Sequence, residues 1–143
     1  LLLDGLTDVR NFGSILRTAE CTGVSAVIIP QQGSARVNED MVKTSAGAVF
    51  NIPICKVNHL KDAIYFLKAH DVEMIGATEK ANQSLFDAEL QKPCGIVMGS
   101  EGFGIHHGII KLLDHTYHLP MKGKTKSLNV SVAAGIFLYE LCR

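Results

Sequence analysis

Short apolar segments alternate with amphipathic segments along almost the whole chain. A short apolar run bounded by Gly, Pro or polar residues is typical of a buried strand. Such runs predict strands at residues 1–3, 26–29, 54–57, 74–78, 95–98 and 116–119.

Amphipathic helices are predicted between these strands. Phe12, Ile15, Leu16 and Ala19 recur with the spacing of one helix face, within a helix over residues 11–21. Further helices are predicted at residues 38–46, 60–67 and 106–113. Strands and helices that alternate in this way are typical of a parallel sheet with helices on both faces, so the predicted fold class is α/β.

The last predicted helix, over residues 128–142, differs because it is apolar on nearly all sides after its first turn. Such a helix has to be covered on most sides, either by the rest of the domain or by a second subunit. Ser127 and Asn129 stand at its entrance. Side chains of this type cap free backbone N–H groups there, and the same groups form a ready ligand site.

Composition indicates one globular domain. The chain has 143 residues, of which 47% are hydrophobic and 20% charged. No apolar run reaches membrane-spanning length, and no signal peptide is visible in these residues. Its four cysteines are scattered without a C-x-x-C pair, which predicts reduced core thiols in a cytoplasmic protein. The histidines lack zinc-ligand spacing, so no metal site is predicted.

The charge distribution is unlike that of most nucleic-acid binders, which carry a basic footprint. The formal net charge is +0, and the only dense basic loop contains Lys122, Lys124 and Lys126. The chain also begins at Leu1 inside an apolar run, which predicts that a further N-terminal part precedes it.

Ligands of parallel sheets bind at the carboxyl ends of the strands, and three connections with unusual chemistry leave such ends. They are residues 4–11, 99–104 and 120–127. The second contains Gly99, Glu101, Gly102 and Gly104, and its glycines allow a close approach of the backbone to a ligand. It lacks the Lys-Ser/Thr of a phosphate-binding loop, and Glu101 would repel a polyphosphate. The loop therefore favours a neutral or cationic ligand, or an arginine, unless it is only a tight structural turn.

Three long segments together resemble a known family. The segments NFGSILRTAECTGV, IVMGSEGFG and LPMKGKTKSLNVSVAAGIFLYE resemble the three motifs of the SpoU family of RNA ribose 2′-O-methyltransferases, which belongs to the SPOUT class. The resemblance extends over essentially the whole chain. It is closest to enzymes that modify guanosine in large-subunit ribosomal RNA, although transfer-RNA enzymes share the same motifs.

The resemblance implies a fold, a cofactor and a set of site residues. The expected fold is a trefoil α/β knot in which the C-terminal segment passes through a loop, and the knotted part binds S-adenosylmethionine. The expected assembly is a homodimer with catalytic sites at the interface. The positions that match the catalytic residues of the family are Arg17, Asn11, Glu101, Ser127 and Asn129, and those that match its cofactor-binding residues are Gly99, Leu119, Met121 and Leu128.

The resemblance assigns proton removal from the ribose hydroxyl to Arg17. Because a guanidinium is essentially always protonated, binding of a phosphate and polarisation of the hydroxyl is the alternative role. Glu101 is expected to orient Arg17, Asn11 to fix the entrance of its helix, and Ser127 and Asn129 to hold the nucleotide or the methionine end of the cofactor. A bulky residue at Gly99 is expected to block cofactor binding without loss of the fold.

Two other functions remain open from the sequence. One is a flavodoxin-like or receiver-like module that binds a partner without catalysis. A receiver needs an acidic cluster and a lysine at strand ends, and Asp4 and Asp8 are the only candidates for the cluster. The other is a protein of the SpoU family that binds RNA but has lost activity, although all five positions that match catalytic residues of the family are intact. Residues 1–143 are expected to form the catalytic domain. Most of the binding to RNA is expected to come from a preceding N-terminal RNA-binding segment.

Overall fold

The computed structural model describes residues 1–143, and its centre is a parallel sheet of seven strands. The strands are β1 (Leu2–Asp4), β2 (Val27–Pro30), β3 (Ile54–Val57), β4 (Glu73–Ala77), β5 (Gln83–Ser84), β6 (Cys94–Gly99) and β7 (His115–His118). Their order across the sheet is β3-β2-β1-β6-β4-β7-β5, and every pair is parallel.

Four α-helices lie between strands along the chain, and a fifth follows β7. They are α1 (Val9–Cys21), α2 (Glu39–Thr44), α3 (Leu60–Ala69), α4 (His107–Ile110) and α5 (Val130–Cys142). Short 3-10 turns follow α2 and β5, at Ala48–Phe50 and Leu85–Asp87. The structure therefore confirms the predicted α/β architecture with a parallel sheet.

The sheet is covered on both faces because its central strands are apolar along their length. The larger core packs the buried sides of α1 and α5 onto one face, with Phe12 and Phe137 among its largest side chains. A smaller core packs Leu60 and Ile64 of α3, together with Ile109 of α4, onto the other face. The carboxyl ends of all seven strands lie along the same side of the sheet, because every pair is parallel.

Helices α1 and α5 lie side by side and point in the same direction. Asn129 at the start of α5 contacts Asn11 in the first turn of α1, and the Cys142 thiol donates to the Thr22 carbonyl at 3.0 Å near the other ends. Both N-termini therefore lie at the carboxyl edge of the sheet, where their free N–H groups carry partial positive charge.

The predicted strands are confirmed to within two residues at each end. Three helices are shorter than predicted. Helix α4 ends at Ile110, α2 covers only Glu39–Thr44 after its Asn38 cap, and α5 begins at Val130 after its Asn129 cap. The edge strand β5 was not predicted, since two residues carry no apolar pattern.

The prediction that the cysteines are core thiols is wrong. All four are free, but Cys21, Cys55 and Cys142 are exposed and Cys94 is partly buried. Cys55 lies on the edge strand β3. Cys21 and Cys142 are the last residues of α1 and α5, and both are exposed there.

Helix α5 is covered on only one side within the chain. Val130, Ala134, Phe137 and Leu138 are buried, whereas Val132 is 51% exposed and Tyr139 61% exposed. The apolar far side of α5 thus remains open in one chain. No helix in the structure combines the length and the apolar character that crossing a membrane requires.

Candidate active site

A cleft of about 590 Å³ lies at the carboxyl ends of the adjacent strands β6, β4 and β7. The predicted connections at residues 99–104 and 120–127 both contribute to its walls, as does the first turn of α5. Its lining comes from residues 77–80, 98–105, 117–119, 121 and 126–130, with Ile110, Ala133 and Phe137 beneath. Loops from separate parts of the chain therefore meet where parallel sheets bind ligands.

The glycine-rich connection forms a tight reversal along one wall. Ser100 and Gly104 exchange two backbone hydrogen bonds, of 3.2 and 2.9 Å, and Gly102 and Gly104 have φ values of +80° and +77°. A β-carbon on Gly99 would overlap the backbone of Gly104 and Ile105. The reversal can fold back on β6 only because Gly99 has no side chain.

This packing corrects the expectation that a bulky residue at Gly99 would spare the fold. Gly99→Ala should already lower the free energy of unfolding by about 1–3 kcal/mol, because the added methyl group displaces backbone. Chemical denaturation measures this loss. Gly123→Ala is the matched control, since a β-carbon there meets nothing within 4 Å. Equal stabilities of the two variants would contradict the packing.

Three of the predicted catalytic residues form one hydrogen-bond cluster at the mouth of the cleft. Asn11 Nδ2 donates to Glu101 Oε1 at 2.9 Å, and Asn129 Nδ2 donates to the same oxygen at 3.1 Å and to Asn11 Oδ1 at 3.0 Å. The three residues are 90, 28 and 118 positions apart in sequence. The fold thus joins one residue from each of the three motifs.

The cluster is built on helix caps. Asp8 caps α1 by accepting from the backbone N–H groups of Arg10 and Asn11. Asn129 caps α5 through its side-chain oxygen, which accepts from the Ser131 N–H. Its amide nitrogen donates to Glu101. The Glu101 carboxylate therefore lies beside two helix N-termini, where the helix dipoles stabilise negative charge.

The predicted cofactor positions line the same cleft. Gly99, Leu119, Met121 and Leu128 all contribute to its wall, together with Ser127. Met121 is 38% exposed and Leu128 is 41% exposed, although both are apolar. Apolar side chains that face a cleft are available to cover a flat apolar group of a ligand.

Arg17 is not part of this cleft. Its side chain is exposed on α1 and makes no hydrogen bond or ion pair within the chain. The prediction that Glu101 orients Arg17 is therefore wrong for a single chain, because Glu101 is held by the amides of Asn11 and Asn129. Arg17 lies six residues after Asn11, so it stands roughly 9 Å further along the helix axis.

Sequence reasoning missed part of the lining. The connection after β4 contributes Thr78 and Lys80, and β7 contributes Tyr117 and His118. Burial, reinforced by the charge of Glu73, raises the pKa of Tyr117, so its hydroxyl stays protonated near neutral pH. The Nδ1 atom of His118 is buried without a partner. These residues carry no motif, and only the order of the strands brings them to the site.

A model of a protein family, described as the SpoU rRNA Methylase family, matches residues 1–139. The chain is 39% identical over 143 residues to the 23S rRNA (guanosine-2'-O-)-methyltransferase RlmB of Yersinia pestis, covering all of this chain and 58% of that protein. It is also 39% identical to a putative TrmH family tRNA/rRNA methyltransferase of Staphylococcus saprophyticus, of which it covers 57%.

Solved structures agree with this similarity. The structure superposes with a TM-score of 0.89 on the SpoU methyltransferase AviRb from Streptomyces viridochromogenes in complex with AdoMet. That match has 28% sequence identity and covers 99% of this chain and 55% of that one. A putative RNA methyltransferase of the TrmH family from Porphyromonas gingivalis superposes with a TM-score of 0.88 at 33% identity, over 97% of this chain and 57% of that one. The chain therefore spans somewhat more than half the length of these relatives.

Proposed function

The chain belongs to the SpoU rRNA Methylase family, and we propose that it transfers a methyl group from S-adenosylmethionine to a ribose 2′-hydroxyl of RNA. The proposed target is a guanosine of ribosomal RNA, in keeping with the names of several relatives. The observation that supports this function most directly is the cluster of Asn11, Glu101 and Asn129 at the mouth of the cleft.

The cleft fits the proposed cofactor. Its apolar side chains Leu119, Met121 and Leu128 suit an adenine ring. Glu101 supplies negative charge for a ligand that carries a positive one. When bound, S-adenosylmethionine supplies a methyl group activated by its sulfonium sulfur.

The polar residues of the chain then have positioning roles. Holding two reactants in line removes a large part of the barrier to a displacement reaction. Glu101 fixes the amides of Asn11 and Asn129 against each other, so the mouth of the cleft is rigid before substrate arrives. Ser127 lines the cleft with a free hydroxyl that can accept or donate to the nucleotide or the methionine end.

Arg17 is proposed to act in the cleft of a second subunit. It does not line the cleft of its own chain, and its neighbour Thr18 borders an open groove with Val132, Ile136 and Tyr139 of α5. A homodimer built on this groove would cover the exposed side of α5 and bring Arg17 to an interface. Its planar guanidinium can bind a phosphate by two parallel hydrogen bonds and polarise the neighbouring hydroxyl.

The dimer gives a direct prediction. The protein should be a dimer at micromolar concentration in light scattering, and Tyr139→Glu should give a folded monomer, because a charge in an apolar interface has to be desolvated. Tyr65→Glu is the matched control, since Tyr65 is 58% exposed on α3, on the other face of the sheet. A folded, monomeric wild-type protein would exclude the arrangement.

The trefoil knot is part of the same proposal. Strand β7 lies near one edge of the sheet, whereas α5 packs on α1 and β6 towards its middle. The segment between them, residues 119–129, therefore has to pass over the carboxyl ends of the strands, beside the glycine-rich reversal. This crossing is the place where the expected threading would occur.

Calorimetry with S-adenosylmethionine and transfer of a labelled methyl group test the function. The protein should bind the cofactor and label ribosomal RNA at a ribose, and mapping of 2′-O-methyl positions identifies the nucleotide. Preferential labelling of transfer RNA would replace the proposed substrate by the alternative one. Absence of cofactor binding by a folded protein would refute the function itself.

A further inference from the structure

A buried carboxylate lies outside the cluster described above. Asp4 ends β1 and is only 5% exposed, and it is one of two polar or charged residues that the chain buries. Burial of a charged group is costly unless the group is well paired. The position of Asp4 therefore requires partners that compensate for the lost water.

The Asp4 carboxylate makes two polar contacts, both with His106. The backbone N–H of His106 donates to Asp4 Oδ2 at 2.8 Å, and His106 Nδ1 lies 2.8 Å from the same oxygen. The carboxylate fixes the proton of the imidazole on Nδ1, because an acceptor needs a donor opposite it. The other side of the ring packs against Phe103, with 5.0 Å between the ring centres. His106 itself is largely exposed.

Asp4 connects the two ends of the glycine-rich reversal, one through its backbone position in β1 and the other through its carboxylate. Asp4 stands beside Gly99 in the register of β1 and β6, which is where the reversal begins. His106 follows directly after the reversal and Ile105. Gly102 and Gly104 give the segment between them a large conformational freedom in the absence of restraints.

Within the reversal, only the paired bonds between Ser100 and Gly104 restrain the backbone. Phe103 at its tip is 68% exposed and cannot anchor it by burial. Glu101, on the same wall, accepts from the amides of Asn11 and Asn129. The clamp from Asp4 to His106 is thus a second charged restraint, and it acts where the reversal ends.

We propose that Asp4 and His106 are positioning residues that preorganise the cofactor cleft by clamping the glycine-rich reversal. The inference rests on the proposed function for the identity of the ligand, but the clamp itself acts in the free protein. A cleft that is already ordered binds its ligand without the entropic cost of ordering the loop. Without the clamp, only a fraction of the molecules has the cleft formed, and the apparent affinity falls by that fraction.

The test compares three substitutions by calorimetry and steady-state kinetics. His106→Ala removes the ring contact and keeps the backbone bond, and it should raise the KM and Kd for S-adenosylmethionine about tenfold if about one molecule in ten keeps the cleft formed. The kcat at saturating cofactor should change less than about threefold, since bound cofactor restores the wall. His106→Asn should recover most of the affinity, because its amide places an N–H close to the position of Nδ1.

His107→Ala is the matched control, since His107 is exposed and its side chain makes no hydrogen bond. It should leave the Kd for S-adenosylmethionine unchanged. Equal Kd values for His106→Ala and His107→Ala, or a loss in kcat without a change in KM, would overturn the clamp.

A second measurement does not depend on the cofactor. Hydrogen exchange followed by NMR in the free protein should show the Gly104 amide, which donates to the Ser100 carbonyl at 2.9 Å, exchanging several-fold faster in His106→Ala. Unchanged exchange would overturn the clamp even if the wild-type protein bound no cofactor. Absence of cofactor binding by the wild type would instead refute the proposed function.

Discussion

Arg17→Ala is expected to lower the rate of methyl transfer by at least about 10²-fold, the usual effect of losing a positioned proton-transfer or charge-stabilising group. The affinity for S-adenosylmethionine should not change, because the proposed contacts of Arg17 are with a phosphate and the hydroxyl of the RNA and not with the cofactor. The fold should also be retained, since the side chain is exposed and makes no bond within the chain. Single-turnover kinetics at saturating cofactor measure the rate of the chemical step.

Two further substitutions sharpen this test. Arg17→Lys should not restore the rate, because a point charge cannot replace the planar fork of the guanidinium. Arg10→Ala is the control on the same helix, where the side chain is likewise exposed and unbonded. Near-normal turnover in Arg17→Ala, or an equal loss in Arg10→Ala, would remove Arg17 from the site.

Mixing experiments test whether Arg17 acts in the partner subunit. A heterodimer of an Arg17→Ala chain and a Glu101→Ala chain contains one cleft with both residues if Arg17 is supplied in trans. Such a mixture should regain up to half of the wild-type activity per heterodimer. If Arg17 acts within its own chain, every cleft of the mixture lacks one residue and no activity returns.

The strands and α1 could be predicted from the sequence because each is specified locally. The spacing of Phe12, Ile15 and Leu16 defines one helix face without reference to the rest of the chain. The short strand β5 and the end of α4 depend on pairing and packing with distant segments, so no local pattern indicated them.

In the candidate site, too, the residues could be predicted locally but their contacts could not. Motif similarity identified the residues Asn11, Glu101 and Asn129, but their shared oxygen follows from the order of the strands and the parallel packing of α1 and α5. His106 was not identified because its role comes from a contact with Asp4, 102 residues away. Arg17 was expected beside Glu101, but within one chain it lies further along α1 and outside the cleft.

Glu101→Ala is expected to lower the rate of methyl transfer by about 10²-fold or more, the scale seen when a preorganised polar group is removed. The physical reason is the loss of the one oxygen, Oε1, that accepts from the amides of both Asn11 and Asn129. Without it the two amides keep only their hydrogen bond to each other, and they lose their connection to the glycine-rich reversal. The side chain is exposed but accepts two hydrogen bonds, so the free energy of unfolding should fall by only about 0.5–1.5 kcal/mol.

Glu101→Gln separates geometry from charge. The amide oxygen of glutamine can still accept from Asn11 and Asn129, so the geometry of the cluster is kept while the negative charge is lost. The charge attracts a cationic cofactor more strongly before transfer than after it, because the sulfonium becomes neutral as the methyl group leaves. Its loss should therefore weaken cofactor binding and leave most of the rate at saturation.

Glu79→Ala is the control, since Glu79 also lines the cleft and makes no hydrogen bond or ion pair. If Glu101→Gln loses as much rate as Glu101→Ala at saturating cofactor, the charge itself acts in the chemical step and the positioning role assigned to Glu101 is wrong.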